Sequence, residues 1–167
     1  MIIVVMGVCG CGKTTIGRAL AGSLGWPFHD ADDFHPETNV ARMAAGQALD
    51  DNHRWPWLDR IVVAMQGAQS DGGNAVLACS ALKQVYRDRL QRAGDVRFVY
   101  LRGDTATIEA RLAARSHKYM PSSLLPSQFA TLEEPRDALV VDIRQAPAAQ
   151  VQFVQSRLAL AAASGAP

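Results

Sequence analysis

The residues best suited to chemistry stand at the start of the chain, where Gly7, four residues, then Gly12, Lys13 and Thr14 match G-x-x-x-x-G-K-[ST] without a mismatch. Gly7, Gly10 and Gly12 let the backbone curl so that successive N–H groups, those of Cys11, Lys13, Thr14 and Thr15 among them, face an anion. Lys13 brings a point charge to the β- and γ-phosphates, and Thr14 offers a hydroxyl to Mg²⁺. A helix beginning near Lys13 would aim its positive dipole end at the same place. This pattern points to a nucleoside triphosphate.

A second group follows in Asp30-Ala31-Asp32-Asp33. Two carboxylates just past a strand suit the carboxyl edge of an α/β sheet, where ligands bind. If residues 28–32 are extended, Phe28, Asp30 and Asp32 share one face. One carboxylate is then available to Mg²⁺ through water (Asp30) and one to an acceptor hydroxyl (Asp32). The plainer alternative is a solvated acidic turn. Further along, Arg111 and Arg115 lie i, i+4 apart and share a helix face. Lys83 and Arg87 have the same spacing, for which a solvated face is the competing reading.

The elements that must position these groups are legible from periodicity. Residues 2–6 (IIVVM), 75–79 (AVLAC), 96–101 (VRFVYL) and 138–143 (ALVVDI) are apolar runs suited to buried strands. Ile16, Leu20 and Leu24 recur at helical spacing, with Gly25 as a C-cap. Val40, Met43 and Ala44 do the same, closed by Gly46. Residues 50–54 read as a polar connection, after which Pro56 suits a helix first turn and Leu58, Ile61, Val62 and Met65 form its apolar stripe. Asp104 is placed as an N-cap, and Pro147 opens a last helix. Strands alternating with helices imply a three-layer α/β/α fold around a five-stranded parallel sheet. Two inserts interrupt one domain spanning 1–167: 33–52 on the acceptor side, and 116–126, where the periodicity disappears, as a mobile lid.

Composition excludes several classes. The chain has 167 residues, 49% of them hydrophobic and 20% charged, as expected of one globular domain. A net charge of +1 gives no reason to expect nucleic acid or an anionic membrane surface as partner. No apolar run approaches the ~18 residues of a membrane span, and the N-terminus lacks a basic leader, so a cytoplasmic location is expected. Cys9, Cys11 and Cys79 lack a second ligand pair at zinc spacing. The preferred reading is plain thiols in a small-residue loop; as an alternative, a loop that attracts phosphate would favour a thiolate at Cys11, making it sensitive to oxidation. A GTPase would need N-K-x-D, which is absent. A motor ATPase would need a strand ending in Asp, whereas AVLAC ends at Cys79. An NTPase without an acceptor and a direct phosphotransferase remain, and two inserts with basic residues favour transfer to a small molecule with water excluded.

From 1 to about 143 the chain resembles gluconokinases of the small P-loop type, related in architecture to shikimate and nucleoside monophosphate kinases. The resemblance is carried by Asp32 with Phe34-His35-Pro36 and Asn39, by Arg42-Met43-Ala44-Ala45-Gly46, and by Leu49-Asp50-Asp51. Arg54 with Pro56-Trp57-Leu58, Cys79-Ser80-Ala81-Leu82-Lys83 with Tyr86-Arg87, and Gln128-Phe129 with Leu132-Glu133-Glu134-Pro135 add to it. Departures are Cys9 and Cys11 where serines are usual, Ala31 in place of the commoner glycine, and Ser116-His117-Lys118-Tyr119-Met120 in the lid.

The resemblance implies transfer from ATP to D-gluconate, giving ADP and 6-phosphogluconate; a shikimate-kinase-like acceptor is the nearest alternative. It also suggests, by analogy alone, a homodimer. Within that reaction Lys13 and Arg115 serve the transferring phosphoryl, and Asp32 orients the acceptor hydroxyl and accepts its proton. Arg54 is the first choice for the gluconate carboxylate, because its planar fork suits one, and Lys83 is the second. His35 and Gln128 are candidates for the polyol. Arg111 and Arg115 would cover adenine and clamp phosphates. Trp55 and Trp57 are expected to pack rather than stack on sugar.

Overall fold

A computed structural model describes residues 1–70, 72–113 and 125–160. Its centre is a five-stranded parallel sheet in the order β2-β3-β1-β4-β5. The strands are β1 (Ile2–Met6), β2 (Phe28–Asp30), β3 (Ala75–Ala78), β4 (Val96–Arg102) and β5 (Leu139–Asp142). The strand count and parallel sense agree with the alternation of periods in the sequence.

Every residue of β1 is buried, and its side chains divide between two cores because successive residues face opposite sides of a sheet. Ile2, Val4 and Met6 join Trp57, Leu58, Ile61 and Met65 of α3 (Asp51–Ser70) and Tyr86 and Leu90 of α4 (Gln84–Gln91). Ile3 and Val5 join Ile16, Leu20 and Leu24 of α1 (Lys13–Leu24) and Val151 and Val154 of α7 (Pro147–Arg157). Helix α1 lies close to the sheet because residue 17 is glycine: a Cβ there would meet the Phe28 ring at 2.7 Å. The remaining helices are α2 (Glu37–Ala44), α5 (Thr105–Ala113) and α6 (Leu125–Thr131).

Two local expectations are corrected. Strand β2 ends at Asp30, and Ala31–Phe34 form a 3-10 turn, so Asp30 and Asp32 do not share a strand face. The cause is Asp30 itself, whose Oδ1 accepts the Asp32 N–H at 3.2 Å and so bends the chain. Helix α3 begins at Asp51, one turn and a half before Pro56, which lies inside it. Asp50 caps that start by accepting the His53 N–H at 3.0 Å. The helix tolerates Pro56 by giving up one backbone bond while its next residues are buried in the core. Gly25 (φ 68) and Gly46 (φ 71) end α1 and α2 as expected. Asp104 caps α5 through the Thr107 N–H at 2.7 Å.

Candidate active site

All strands being parallel, the loops after β1, β2, β3 and β4 gather at one edge, at the point where β1 lies between β3 and β4. The loop after β1 carries Gly7, Gly10 and Gly12 at φ 142, 77 and 109. Gly7 has a second constraint, since a Cβ would lie 3.0 Å from the Leu101 carbonyl oxygen. Gly12 precedes α1 with no side chain capping the helix and no acidic residue in its first turn. The N–H groups around Lys13, Thr14 and Thr15 are therefore offered to a ligand, on the positive end of the dipole. Lys13 Nζ donates to the Val8 carbonyl oxygen at 2.9 Å, folded against its own loop.

Cys9, Cys11 and Cys79 are free and buried. Burial raises the pKa of Cys9 and Cys11, and the opposing pull of Lys13 is smaller. Cys79 is pushed up to about 12, first by burial. The alternative of a Cys11 thiolate is therefore overturned and the plain reading kept: loss of solvation outweighs the cationic loop.

Thr14 Oγ donates to Asp30 Oδ2 at 3.2 Å. The hydroxyl and carboxylate expected to serve one cation thus lie side by side. They are hard oxygen donors, the kind Mg²⁺ takes. Among the described residues no cluster of three His, Cys, Asp or Glu side chains could hold a metal. A cation here would accordingly depend on phosphate and water for most of its ligands.

Asp32 stands one turn beyond. Its side chain is 76% exposed, and partial loss of solvation raises its pKa. Burial is the largest cause, Asp30 and Asp33 add to it, and Lys13 and Arg54 oppose it. Facing it, His35 Nε2 lies 3.9 Å from Asp32 Oδ1. The His35 ring stacks on Trp57 at 4.5 Å between centroids, and Trp57 Nε1–H donates to the Ala31 carbonyl at 2.6 Å. Trp57 is thus a packing residue, 2% exposed, that holds up the turn bearing Asp32. Burial, then the Arg54 charge, lowers the His35 pKa to about 4, so the ring is neutral at pH 7.

The cations on this side sort themselves by partner. Lys83 Nζ donates to both Asp51 oxygens, at 2.7 and 2.9 Å, and Tyr86 Oη donates to Asp51 Oδ1 at 2.5 Å. Arg54 lies over the Tyr86 ring at 5.8 Å and donates to the Leu49 carbonyl at 3.3 Å. No carboxylate among the described residues pairs with it. Asp51, read from sequence as part of a polar connection, and Tyr86 are what separate the two roles. Their spacing of 35 residues carried no signal; only the fold joins them. Arg87 is buried rather than solvated and donates to the Ala81 and Leu82 carbonyls at 2.9 and 3.0 Å. It steadies the Ser80–Lys83 loop, in which Ala81 has φ 44, a conformation costing a β-carbon residue ~1–2 kcal/mol.

Gln128, on α6, is placed on the phosphate loop rather than beside Asp32: its Oε1 accepts the Cys9 N–H at 2.6 Å. Arg111 donates to the Ile143 carbonyl and to the Cys11 carbonyl. With Gly12, Thr15, Ile16, Pro147 and Gln150 it lines a cavity of about 240 Å³. Arg115 and most of the lid expected at 116–126 lie outside the described residues.

Comparison with known proteins bears on the family and the fold. The Shikimate kinase family profile matches residues 9–151. A gluconokinase from Gluconobacter oxydans is 46% identical over 138 residues, covering 81% of this chain and 76% of that one. A sugar kinase structure from Janibacter sp. superposes with a TM-score of 0.88 at 41% identity, covering 96% and 95% of the two chains. A gluconokinase structure from Sinorhizobium meliloti gives 0.78 at 37% identity, covering 94% of each.

Proposed function

The chain belongs to the gluconokinase family, within the wider group of shikimate-kinase-like proteins, and from that premise we propose that it transfers the γ-phosphoryl of ATP to D-gluconate, giving ADP and 6-phosphogluconate. The observation that carries the acceptor side is Arg54, a guanidinium without a carboxylate ion-pair partner among the described residues, close enough to Asp32 to oppose the rise in its pKa. An anionic polyol needs a cation for its carboxylate and a base for its hydroxyl, and these two side chains offer both.

The residues divide the work as follows. The loop amides and the α1 N-terminus bind the phosphates, and Lys13 leaves the Val8 carbonyl to reach the β- and γ-oxygens. Mg²⁺, held by Thr14 and through water by Asp30, supplies charge neutralisation on those phosphates when bound. Asp32 aligns the acceptor hydroxyl and takes its proton, late if the transition state is loose. Its raised pKa makes it a better base than an ordinary surface aspartate. Arg54 receives the gluconate carboxylate as a bidentate pair. Lys83, neutralised by Asp51, presents a weaker second contact. Gln128, anchored through its carbonyl, has its NH₂ left for a polyol hydroxyl. Arg111 and the cavity beside it take the adenine ring, and Arg115 joins the phosphate clamp. We place the reaction in the cytoplasm, in keeping with three unpaired thiols. No helix among the described residues is long and apolar enough to cross a membrane. The proposed assembly is a homodimer, by analogy alone, which sedimentation velocity would check.

A coupled ADP-release assay with Mg-ATP and D-gluconate, shikimate, AMP or water alone tests the reaction. Release dependent on gluconate is expected. Equal release with water alone would make the protein an NTPase, and release with shikimate alone would overturn gluconate as the acceptor.

A further inference from the structure

Asn39 is one of three polar side chains in the interior of the described structure, 2% exposed on α2. One atom of its side-chain amide lies 2.8 Å from the His53 carbonyl oxygen. A carbonyl oxygen only accepts, so that atom is the amide nitrogen. The same nitrogen lies 3.4 Å from Nδ1 of His35. With one hydrogen given to His53, the second serves His35, whose Nδ1 must then present a lone pair. A neutral imidazole carries a single ring proton, which is left on Nε2. That is the atom 3.9 Å from Asp32 Oδ1. The stack on Trp57 holds the ring plane, with an interplanar angle of 13°. The charged groups facing the ring are Asp32 and Arg54, and its low pKa keeps it neutral at pH 7.

We propose that Asn39 is a positioning residue that fixes His35 as the Nε2–H tautomer, making it a neutral hydrogen-bond donor on the Asp32 side of the acceptor pocket. A hydroxyl bound there donates its proton to the Asp32 carboxylate and accepts from His35 Nε2–H. Two contacts of opposite sense then set its orientation, which one carboxylate alone would leave free to rotate. The other tautomer would turn a lone pair toward the carboxylate and repel it. A neutral donor also favours the ionised form of Asp32 without adding a charge that would compete with Arg54 for the substrate. The role given to the tautomer rests on Asp32 as the acceptor base; the tautomer itself does not.

The test begins with the wild-type chain labelled with [15N]histidine and observed by long-range 1H–15N correlation at pH 7. His35→Gln identifies the His35 signals among the four histidines. A pyridine-like Nδ1 and a pyrrole-like Nε2 are expected; the reverse pattern, or averaging of the two, overturns the proposal. Asn39→Ala should abolish the single tautomer and lower kcat about tenfold, the worth of one hydrogen bond to a charged group, with KM for ATP unchanged. A folded Asn39→Ala protein with the wild-type tautomer and kcat would refute it. Should that variant not fold, His35→Gln, which can place an N–H near the same point, is compared with His35→Leu: the proposal requires the glutamine to retain more kcat, and equal losses reject it. Asp32→Asn is expected to keep the tautomer, because Asn39 sets it. Full kcat in Asp32→Asn would therefore remove the base and leave the histidine result standing.

Discussion

Arg54→Lys separates charge from shape at the position assigned to the substrate carboxylate. Lysine keeps the positive charge that Asp32 and His35 both sense, so the acceptor base is little disturbed. What is lost is the planar fork, the stack on Tyr86 at 5.8 Å and the bond that holds the guanidinium to the Leu49 carbonyl. One hydrogen bond to a charged group is worth about 1.5–3 kcal/mol. At ~1.4 kcal/mol per decade this corresponds to a rise of about ten- to a hundredfold in KM for gluconate. Helix α1 and the phosphate loop are untouched, so KM for ATP should stay within about twofold of wild type. Steady-state kinetics with each substrate varied in turn measures both. D-gluconamide, an uncharged acceptor of the same shape, completes a double cycle: the variant should lose little further with it, because the fork has no carboxylate to grip. Equal increases in both KM values, or the same penalty with the amide, would refute the assignment.

Further expectations concern base, packing and thiols. Asp32→Asn should lose most turnover while ATP binding survives in calorimetry. The same variant should be somewhat more stable than wild type at neutral pH. A carboxyl whose folded pKa is raised favours the folded state only when protonated, so its ionisation costs stability as pH rises through that pKa. The stability difference should vanish as pH falls, and a constant offset in Tm from low pH to neutral would contradict the raised pKa. Gly17→Ala should destabilise by about 1–3 kcal/mol in urea unfolding, since its Cβ would meet Phe28 at 2.7 Å; unchanged stability would mean that the ring shifts freely. Iodoacetamide should modify the native protein slowly at neutral pH with or without ATP. Unfolding should expose all three thiols; rapid labelling of the native loop would restore the thiolate overturned above.

Much of this protein was legible before folding because the relevant signals are local. A phosphate loop works through consecutive backbone amides, so the spacing of Gly7, Gly12, Lys13 and Thr14 already contains its geometry. The strands read as apolar runs because a parallel sheet is buried on both faces. The start of α3 was misread because Pro56 is a strong local marker, while the Asp50 cap and the burial of Trp57 and Leu58 together outweighed it. The bend at Asp32 was missed because it depends on one side-chain bond from Asp30, which competes with strand propensity over two residues.

The sequence by itself determined the phosphate-loop motif and the parallel architecture, and its family resemblance grouped Asp32, His35 and Arg54 as acceptor-side candidates. Tertiary structure supplied the partners that tell the two cations apart. Asp51 lies 32 residues from Lys83 and neutralises it, which supports the sequence's first choice of Arg54 over Lys83 for the proposed carboxylate contact. It likewise decided the fate of the thiols, because desolvation depends on everything packed around a group and not on its neighbours in the chain. The His35 proton follows the same rule. Its position is set by an amide on α2 whose own orientation is fixed by a carbonyl on α3, a relation among three elements that no spacing encodes.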